Sequence, residues 1–368
     1  MTETVTYRPP RSEELADCAL IWHASVNDYM SRLGHPLPPP VLEPALRLAE
    51  HLLGTDPDRF RVAVRSSGAV RPGLPGRTGG AEEDERIVGF GIGLQREHVW
   101  FLSQLYVLPA EQRRGIGRAL LTLALPSAPA AGTADAGSGP GAGSGPAAGS
   151  GPGTADASTE PGGSRPGVLA TCSDSVQPIS NGLYGRLGIV ARMPVFNLVG
   201  RPTSPSVLPA LPAGIEAVPL APADRLSHRN PAGPGKAELC DTIDFIDRQV
   251  LGYAHQPDHL FLRVQGRTGF LYRTAAGEPL GYGYSSQVGR FGPVALLDET
   301  LTAPVISHLM AAIEPRGATS VWVPGANDRA MVALLRAGLQ IEGFPAMLCW
   351  TRPFAAFDRY LPAGLALL

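Results

Sequence analysis

The stretch "LYVLPAEQRRGIGRALLTLAL", residues 105–125, constrains the fold more than any other part of the chain. Its first part is a strand-like apolar run whose pairing Pro109 ends. Its last part, "GIGRALLTLAL", carries apolar residues at helical spacing. Between them stand Gly115 and Gly117, flanked by Arg113, Arg114 and Arg118. The first amides of a helix lack carbonyl partners, and the dipole makes that end positive. Glycine has no Cβ, so an anion can lie directly against such amides. The corner therefore reads as a seat for a pyrophosphate between a strand and a helix. A glycine before a helix is, by itself, equally compatible with a plain tight turn.

The surrounding chain must supply a sheet for that corner. With 368 residues, two domains are expected. A hydrophobic content of 44% and a charged content of 17% describe a soluble globular protein with ample core. The formal net charge of -2 offers no electrostatic case for nucleic acid or an anionic membrane. Cys18, Cys172, Cys240 and Cys349 are far apart and form no C-x-x-C pair, so neither a zinc site nor a disulfide scaffold is expected. The polar start "MTETVTYRPPRSEEL" lacks the apolar segment of a signal peptide. No apolar stretch approaches the roughly 18 residues that span a bilayer. A cytoplasmic location is the expectation.

Residues 126–166 repeat GSGP and contain no large apolar side chain, so they are expected to be disordered. A half-domain ending just before them would leave a sheet edge open. The tract is therefore read as an insertion inside one domain, which the slow growth of loop-closure entropy tolerates. A second polar insert, 66–86, separates "FRVAVR" from "RIVGFGIGL", which read as paired strands. The Pro-rich stretch around 201–213 is the expected linker, giving domains 1–200 and 214–368. The first 200 residues read strand, two helices, antiparallel strands, the glycine corner, helix, strand, helix, strand. The remainder reads similarly, with helices around 236–252 and strands at "HLFLRV", "GFLYRT" and "PLGYGYSS".

The corner resembles the acyl-CoA-binding segment of the GCN5-related N-acetyltransferases (GNAT), with its Gln/Arg-x-x-Gly-x-Gly/Ala signature. Gln112, Gly115 and Gly117 fall on its fixed positions. The resemblance implies that the preceding strand bulges and that backbone groups of Leu105, Tyr106 and Val107 bind the pantetheine arm. It further implies an acyl-CoA contact surface of Gln112, Arg113, Arg114, Gly115, Ile116, Gly117, Arg118 and Gln177, with acetyl-CoA as co-substrate. "VQPISNGLYGRLGIVARMPVF" is similar to the family's later Asn-Pro-x-Ala-x-x-Leu-Tyr-x-x-x-Gly-Phe motif. Pro178, Leu183, Tyr184 and Gly188 fit, whereas Gln177, Ser180 and Ile189 depart from it. Tyr184 then takes the role of general acid, protonating the CoA thiolate as it leaves. Taken singly, a Leu-Tyr pair on an amphipathic helix also fits core packing.

Many relatives carry an acidic base on the strand before the corner; here Ser103 and Gln104 stand in its place. Glu97 and His98 lie at that strand's far start, and His23 and Asp28 on the first helical segment fit a solvated face. No base is assigned. In the C-terminal half, "WVPGANDRAMVALLRAGLQIEGFP" has the same frame as the second motif. Asn327 matches Gln177, Ala330 matches Ser180, Leu334 matches Tyr184 and Gly338 matches Gly188. No Gln-x-x-Gly-x-Gly precedes it, so this half is expected to be a degenerate copy without a CoA site. The fold class expected is α/β (α+β): two tandem GNAT-like domains, each a mixed, mainly antiparallel central sheet flanked by helices.

Other signals point less far. "GFGIGL" lies within a strand and is no dinucleotide fingerprint. His255 and His259 are spaced i, i+4, but Pro257 is expected to break the helix that would align them, so no metal is expected. The resemblance implies an N-acyltransferase, acetyl-CoA being the expected donor and a small amine the acceptor, in a monomer or homodimer. A non-catalytic acyl-CoA-binding module and a protein N-acetyltransferase are the alternatives.

Overall fold

The computed structural model describes residues 4–70, 83–126, 167–203, 205–221 and 234–368. Strands β1 (Thr4–Arg8), β2 (Phe60–Val70), β3 (Glu83–Arg96) and β4 (Val99–Val107) form an antiparallel run. β5 (Val168–Asp174) joins this run in parallel beside β4. The tract at 126–166 therefore interrupts a single sheet, although from residue 127 on it lies outside the described residues, as do residues 71–82 of the other insert. Helices α1 (Leu15–Arg32) and α2 (Glu43–Thr55) connect β1 to β2. α3 (Ile116–Ala124) crosses from β4 to β5, and α4 (Pro178–Gly185) leads from β5 to β6 (Val190–Gly200).

Period-two alternation, shifted on β3 by a bulge at Val88 opposite Ala63, sorts the strand residues between two layers. Phe60, Val62, Phe90 and Ile92 meet Leu15, Ile21 and Leu52 of α1 and α2. The opposite-facing Ala63 and Val88 meet Ile116 and Leu120 of α3. The glycines of "GFGIGL" belong to that second face. A Cβ at Gly91 would lie 3.4 Å from Leu120 Cβ, and one at Gly93 would lie 2.9 Å from the Ala124 carbonyl. They let α3 sit close to the sheet, and the Trp100 indole locks it there by donating to Ala124 O at 2.9 Å.

The C-terminal half repeats the plan. β7 (Ile215–Pro219) is followed by α5 (Pro234–Val250), α6 (Gln256–Val264), β8 (Thr268–Thr274), β9 (Pro279–Ser285) and β10 (Phe291–Leu296). Then come α7 (Thr302–Ala312), β11 (Thr319–Pro324), α8 (Asp328–Arg336), β12 (Gln340–Trp350) and β13 (Tyr360–Leu361). "HLFLRV" is not a strand: Pro257 lies in the first turn of α6, where its missing N–H costs nothing, so it starts the helix rather than breaking it. The third central strand is β10 instead.

The two halves exchange strands. The larger sheet runs β1-β2-β3-β4-β5-β12-β6-β11, so β12 from the end of the chain lies between β5 and β6. β6 in turn pairs with β12 on one side and β11 on the other. A parallel bridge, Arg290 to Ser320, links β11 to the smaller sheet, β13-β10-β9-β8-β7. Each half thus closes the open edge left by the other's parallel pair. The division at 201–213 separates the chain, but the hydrogen-bonded sheet crosses it.

Candidate active site

β4 and β5 are paired only from Val99–Val168 to Leu102–Thr171, where the Thr171 hydroxyl donates to Leu102 O at 2.9 Å. Beyond that point they part. Opposite β3 the register of β4 shifts between Leu102 and Gln104, a bulge at Ser103. Leu108 N–H donates to Val88 O at 2.9 Å. By strand alternation, the backbone groups of Leu105 and Val107 therefore point to the open side. There the Val107 carbonyl accepts from Gln112 Nε2 at 3.0 Å and Ser25 Oγ at 3.2 Å. Gln112 thus ties the corner to the strand with its own side chain.

The corner is built from two residues in left-handed backbone, Arg113 (φ 65°) and Gly115 (φ 85°), the latter capping α3. For arginine that conformation is uncommon and marks a constrained turn. The first helical bond runs from Ala119 N–H to Gly115 O, which leaves the amides of Ile116, Gly117 and Arg118 without helix partners. A Cβ at Gly117 would meet only Val107 Cγ2, at 3.8 Å, so internal packing does not demand glycine there. Arg113, Arg118 and Arg186 line the opening and have no acidic partner among the described residues. Two expected side chains point away from it. The side chain of Arg114 is exposed and pairs with Glu111 at 3.4 Å, because the αL turn at Arg113 points it away. The side chain of Ile116 is buried against Leu120, leaving only its backbone at the corner.

The gap between the strands and the corner open into one cavity of about 720 Å³. Leu105, Tyr106, Val107, Gln112, Gly115, Gly117 and Gln177 border it, and Tyr184 reaches it from α4. Tyr184 is 5% exposed, packed with Trp100, Leu121 and Cys349. Burial pushes its phenol above the ordinary tyrosine range, although a hydrogen bond with Ser180 opposes this, so it stays protonated at neutral pH. Burial likewise pushes Tyr106 up to about 12. The Cys172 thiol borders the cavity too, and burial raises it far above reactive range.

The cavity also holds a carboxylate that sequence reasoning missed. Asp174, the last residue of β5, lines it, and burial raises its pKa. It has no cationic partner among the described residues. Attention to the strand before the corner could not find it, because it crosses from the neighbouring strand. Ser103 instead donates to Ala366 O at 2.6 Å, fixing the segment Leu365–Ala366 as one wall of the cavity. Glu97 pairs with Arg248 at the far hairpin, Asp28 with Arg32, and His23 with Asn27. None of these three lines the cavity.

The corresponding corner of the C-terminal half is filled by its own side chains. Asp298 accepts from Thr300 N–H at 2.8 Å and from the Thr300 hydroxyl at 2.7 Å. An anion there would meet a carboxylate already on the amide. Leu334, where Tyr184 stands in the first half, is fully buried. Asn327 caps α8 by accepting from Ala330 N–H at 3.0 Å.

The two halves thus share one plan, with a strand pair that splays beside an open, amide-lined glycine corner in the first and a filled corner in the second. Residues 50–136 match the family described as Acetyltransferase (GNAT) family. In structure the chain is similar to an acetyltransferase candidate from Pyrococcus horikoshii (TM-score 0.61, 14% identity, 100% of this chain and 97% of that one). It is also similar to a GCN5-related N-acetyltransferase from Sphaerobacter thermophilus (TM-score 0.49, 15% identity, 95% and 96%). A tandem GNAT protein from the clavulanic acid biosynthesis pathway aligns as well (TM-score 0.46, 12% identity, 95% and 99%). No curated protein matches by sequence. Residues 50–136 thus carry the GNAT-family match, and the fold of the whole chain is similar to that of the Pyrococcus structure.

Proposed function

We propose that the chain is an acyl-CoA-dependent N-acyltransferase that passes an acetyl group from acetyl-CoA directly to a small amine, with the first copy active. The observation that supports this reading most is that one cavity joins the free amides of the corner, the open edge of β4, Tyr184 and Asp174. The corner suits a diphosphate: three amides without helix partners, three arginines without an acidic partner among the described residues, and no Cβ at Gly117. The open edge at Leu105 and Val107 can take an extended amide arm as an added strand would.

In this reading the amine nitrogen attacks the thioester carbonyl carbon, the N–C bond forms and the C–S bond breaks. Sulfur takes its proton from the Tyr184 hydroxyl. Nitrogen gives its proton to the Asp174 carboxylate, directly or through a water. A half-buried carboxylate without a cationic partner among the described residues, its pKa raised by burial, is a better base than an exposed one. Leu365 and Ala366 wall the cavity beside Ser103, which favours a small amine over an amino group on a protein. A non-catalytic CoA-binding module would explain Ser103 and Gln104 in place of an acid, but it gives Asp174 and Tyr184 no task. Thiol release from acetyl-CoA with a panel of small amines tests the proposal. Amine-dependent release is expected; CoA binding with no amine-dependent release would leave the binding module.

No described helix is long and apolar enough to cross a membrane.

A further inference from the structure

Away from the cavity, α5, α6 and β9 bring together three side chains that the sequence separates. Asp247 from α5 is fully buried, and His255 and His259 at the start of α6 are 1% and 2% exposed. Both imidazoles aim Nε2 at one carboxylate oxygen. Asp247 Oδ2 lies 3.0 Å from His259 Nε2 and 3.4 Å from His255 Nε2, and all three ligand atoms fall within 4.8 Å of one another. Ligands bonded to zinc at about 2.0–2.1 Å in a tetrahedron stand about 3.3 Å apart.

Two of the three outer atoms are held as well. Tyr282 donates its hydroxyl to Asp247 Oδ1 at 2.6 Å. His259 Nδ1 is 3.1 Å from the Tyr284 hydroxyl. His255 Nδ1 has no hydrogen-bond partner among the described residues and is 3.7 Å from Asp258 Oδ2. Metal-ligating histidines and carboxylates are oriented by partners of this kind on their far atoms.

Charge points the same way. Asp247 adjoins a buried layer in which Arg96 pairs with both Asp56 and Asp258 at 2.8 Å. Asp247 has no arginine or lysine ion pair among the described residues. Three buried carboxylates therefore share one guanidinium; their other ionic partners are the imidazoles of His51, His255 and His259, so with those imidazoles neutral two negative charges remain where uncompensated charge is costly. A single divalent cation on neutral imidazoles would balance them.

We propose that Asp247, His255 and His259 form a site for one divalent transition-metal ion of the zinc class. Its role is structural: the ligands are buried, and Asp258 beside them also holds His51 and Arg96 of the N-terminal half. The metal would thus brace the contact between the two halves.

The test uses the full chain without a polyhistidine tag, loaded with Zn²⁺, stripped of loose metal by EDTA and assayed by elemental analysis. About one retained equivalent is expected, with a higher unfolding midpoint than the zinc-free protein. His259→Gln should lose both. Folded wild-type protein with no zinc above buffer background would overturn the proposal, with histidine protons then supplying the charge. So would a folded His259→Gln protein that keeps its equivalent. Should that variant fail to fold, Co²⁺ in the wild type decides. A four- or five-coordinate d–d spectrum without a thiolate band is expected; a six-coordinate or thiolate spectrum overturns the site.

Discussion

Tyr184→Phe separates chemistry from packing more cleanly than any other change at the cavity. The ring stays, and with it the contacts to Trp100, Leu121 and Cys349. What goes is one hydroxyl, whose side-chain partner is Ser180 on the same helix. Ser180 is only half-buried and can turn to water. The loss is then one neutral hydrogen bond, about 1 kcal/mol, which lowers the unfolding midpoint by no more than about 3 °C. In the ground state the hydroxyl faces an uncharged sulfur, so the dissociation constant for acetyl-CoA should barely move. Charge on sulfur develops only as the C–S bond breaks, and removing a donor aimed at such charge costs about 10²–10³ in kcat. The assay follows CoA thiol release with the best amine of the panel, beside calorimetric titration of acetyl-CoA and a thermal melt. A kcat within about threefold of wild type, at unchanged affinity, would remove Tyr184 from the proton path, since about 0.7 kcal/mol is too little for a donor to a thiolate.

Asp174→Asn should lower kcat/KM by about 10²–10⁴ and flatten the acid limb of its pH profile. Because burial raises the folded-state pKa of Asp174, ionisation destabilises the fold as pH rises through that window. The same variant should therefore melt higher than wild type at neutral pH and equally below the ordinary carboxylate range; equal melting at both would contradict the burial argument. Gly117→Glu should weaken CoA by at least about 100-fold, some 2.7 kcal/mol, because bulk and negative charge enter the diphosphate seat. Its melting should be little changed, since only Val107 Cγ2 lies near; unaltered affinity by calorimetry would move the seat elsewhere. Leu348 in β12 is fully buried, and Leu348→Ala should cost about 2–5 kcal/mol. Because β12 lies between β5 and β6, both halves should unfold in one calorimetric transition. Two separate transitions would mean that the exchanged strands do not couple them.

The site's local chemistry is written in short range. Gln112, Gly115 and Gly117 make a corner within one turn of chain, and the loss of helix-partnered amides at a helix start is a local fact that spacing alone reveals. The same holds for the order of elements in the first half and for Tyr184 on a short helix after β5. Tertiary packing divides neighbours within that one segment: the Ile116 side chain turns to the core and the Arg114 side chain to solvent. Pro257 reads in sequence as a helix breaker, yet at the first turn of α6 it starts the helix that brings His255 and His259 together.

What the tertiary structure decided is everything that depends on partners far along the chain. No periodicity shows that β12 leaves its own half to lie between β5 and β6, because a buried strand reads alike whichever neighbours pair with it. Asp174 carries no motif; it enters the cavity only because β5 diverges from β4 just before it. Asp247 meets two histidines across two helices, and the Asp298 cap fills the second corner by a bond that composition does not announce. Backbone geometry and hydrogen bonding within a turn are set by neighbouring residues, and a sequence carries them openly. The pairing of strands and the company of a buried charge are set by the whole fold, and only the fold supplies them.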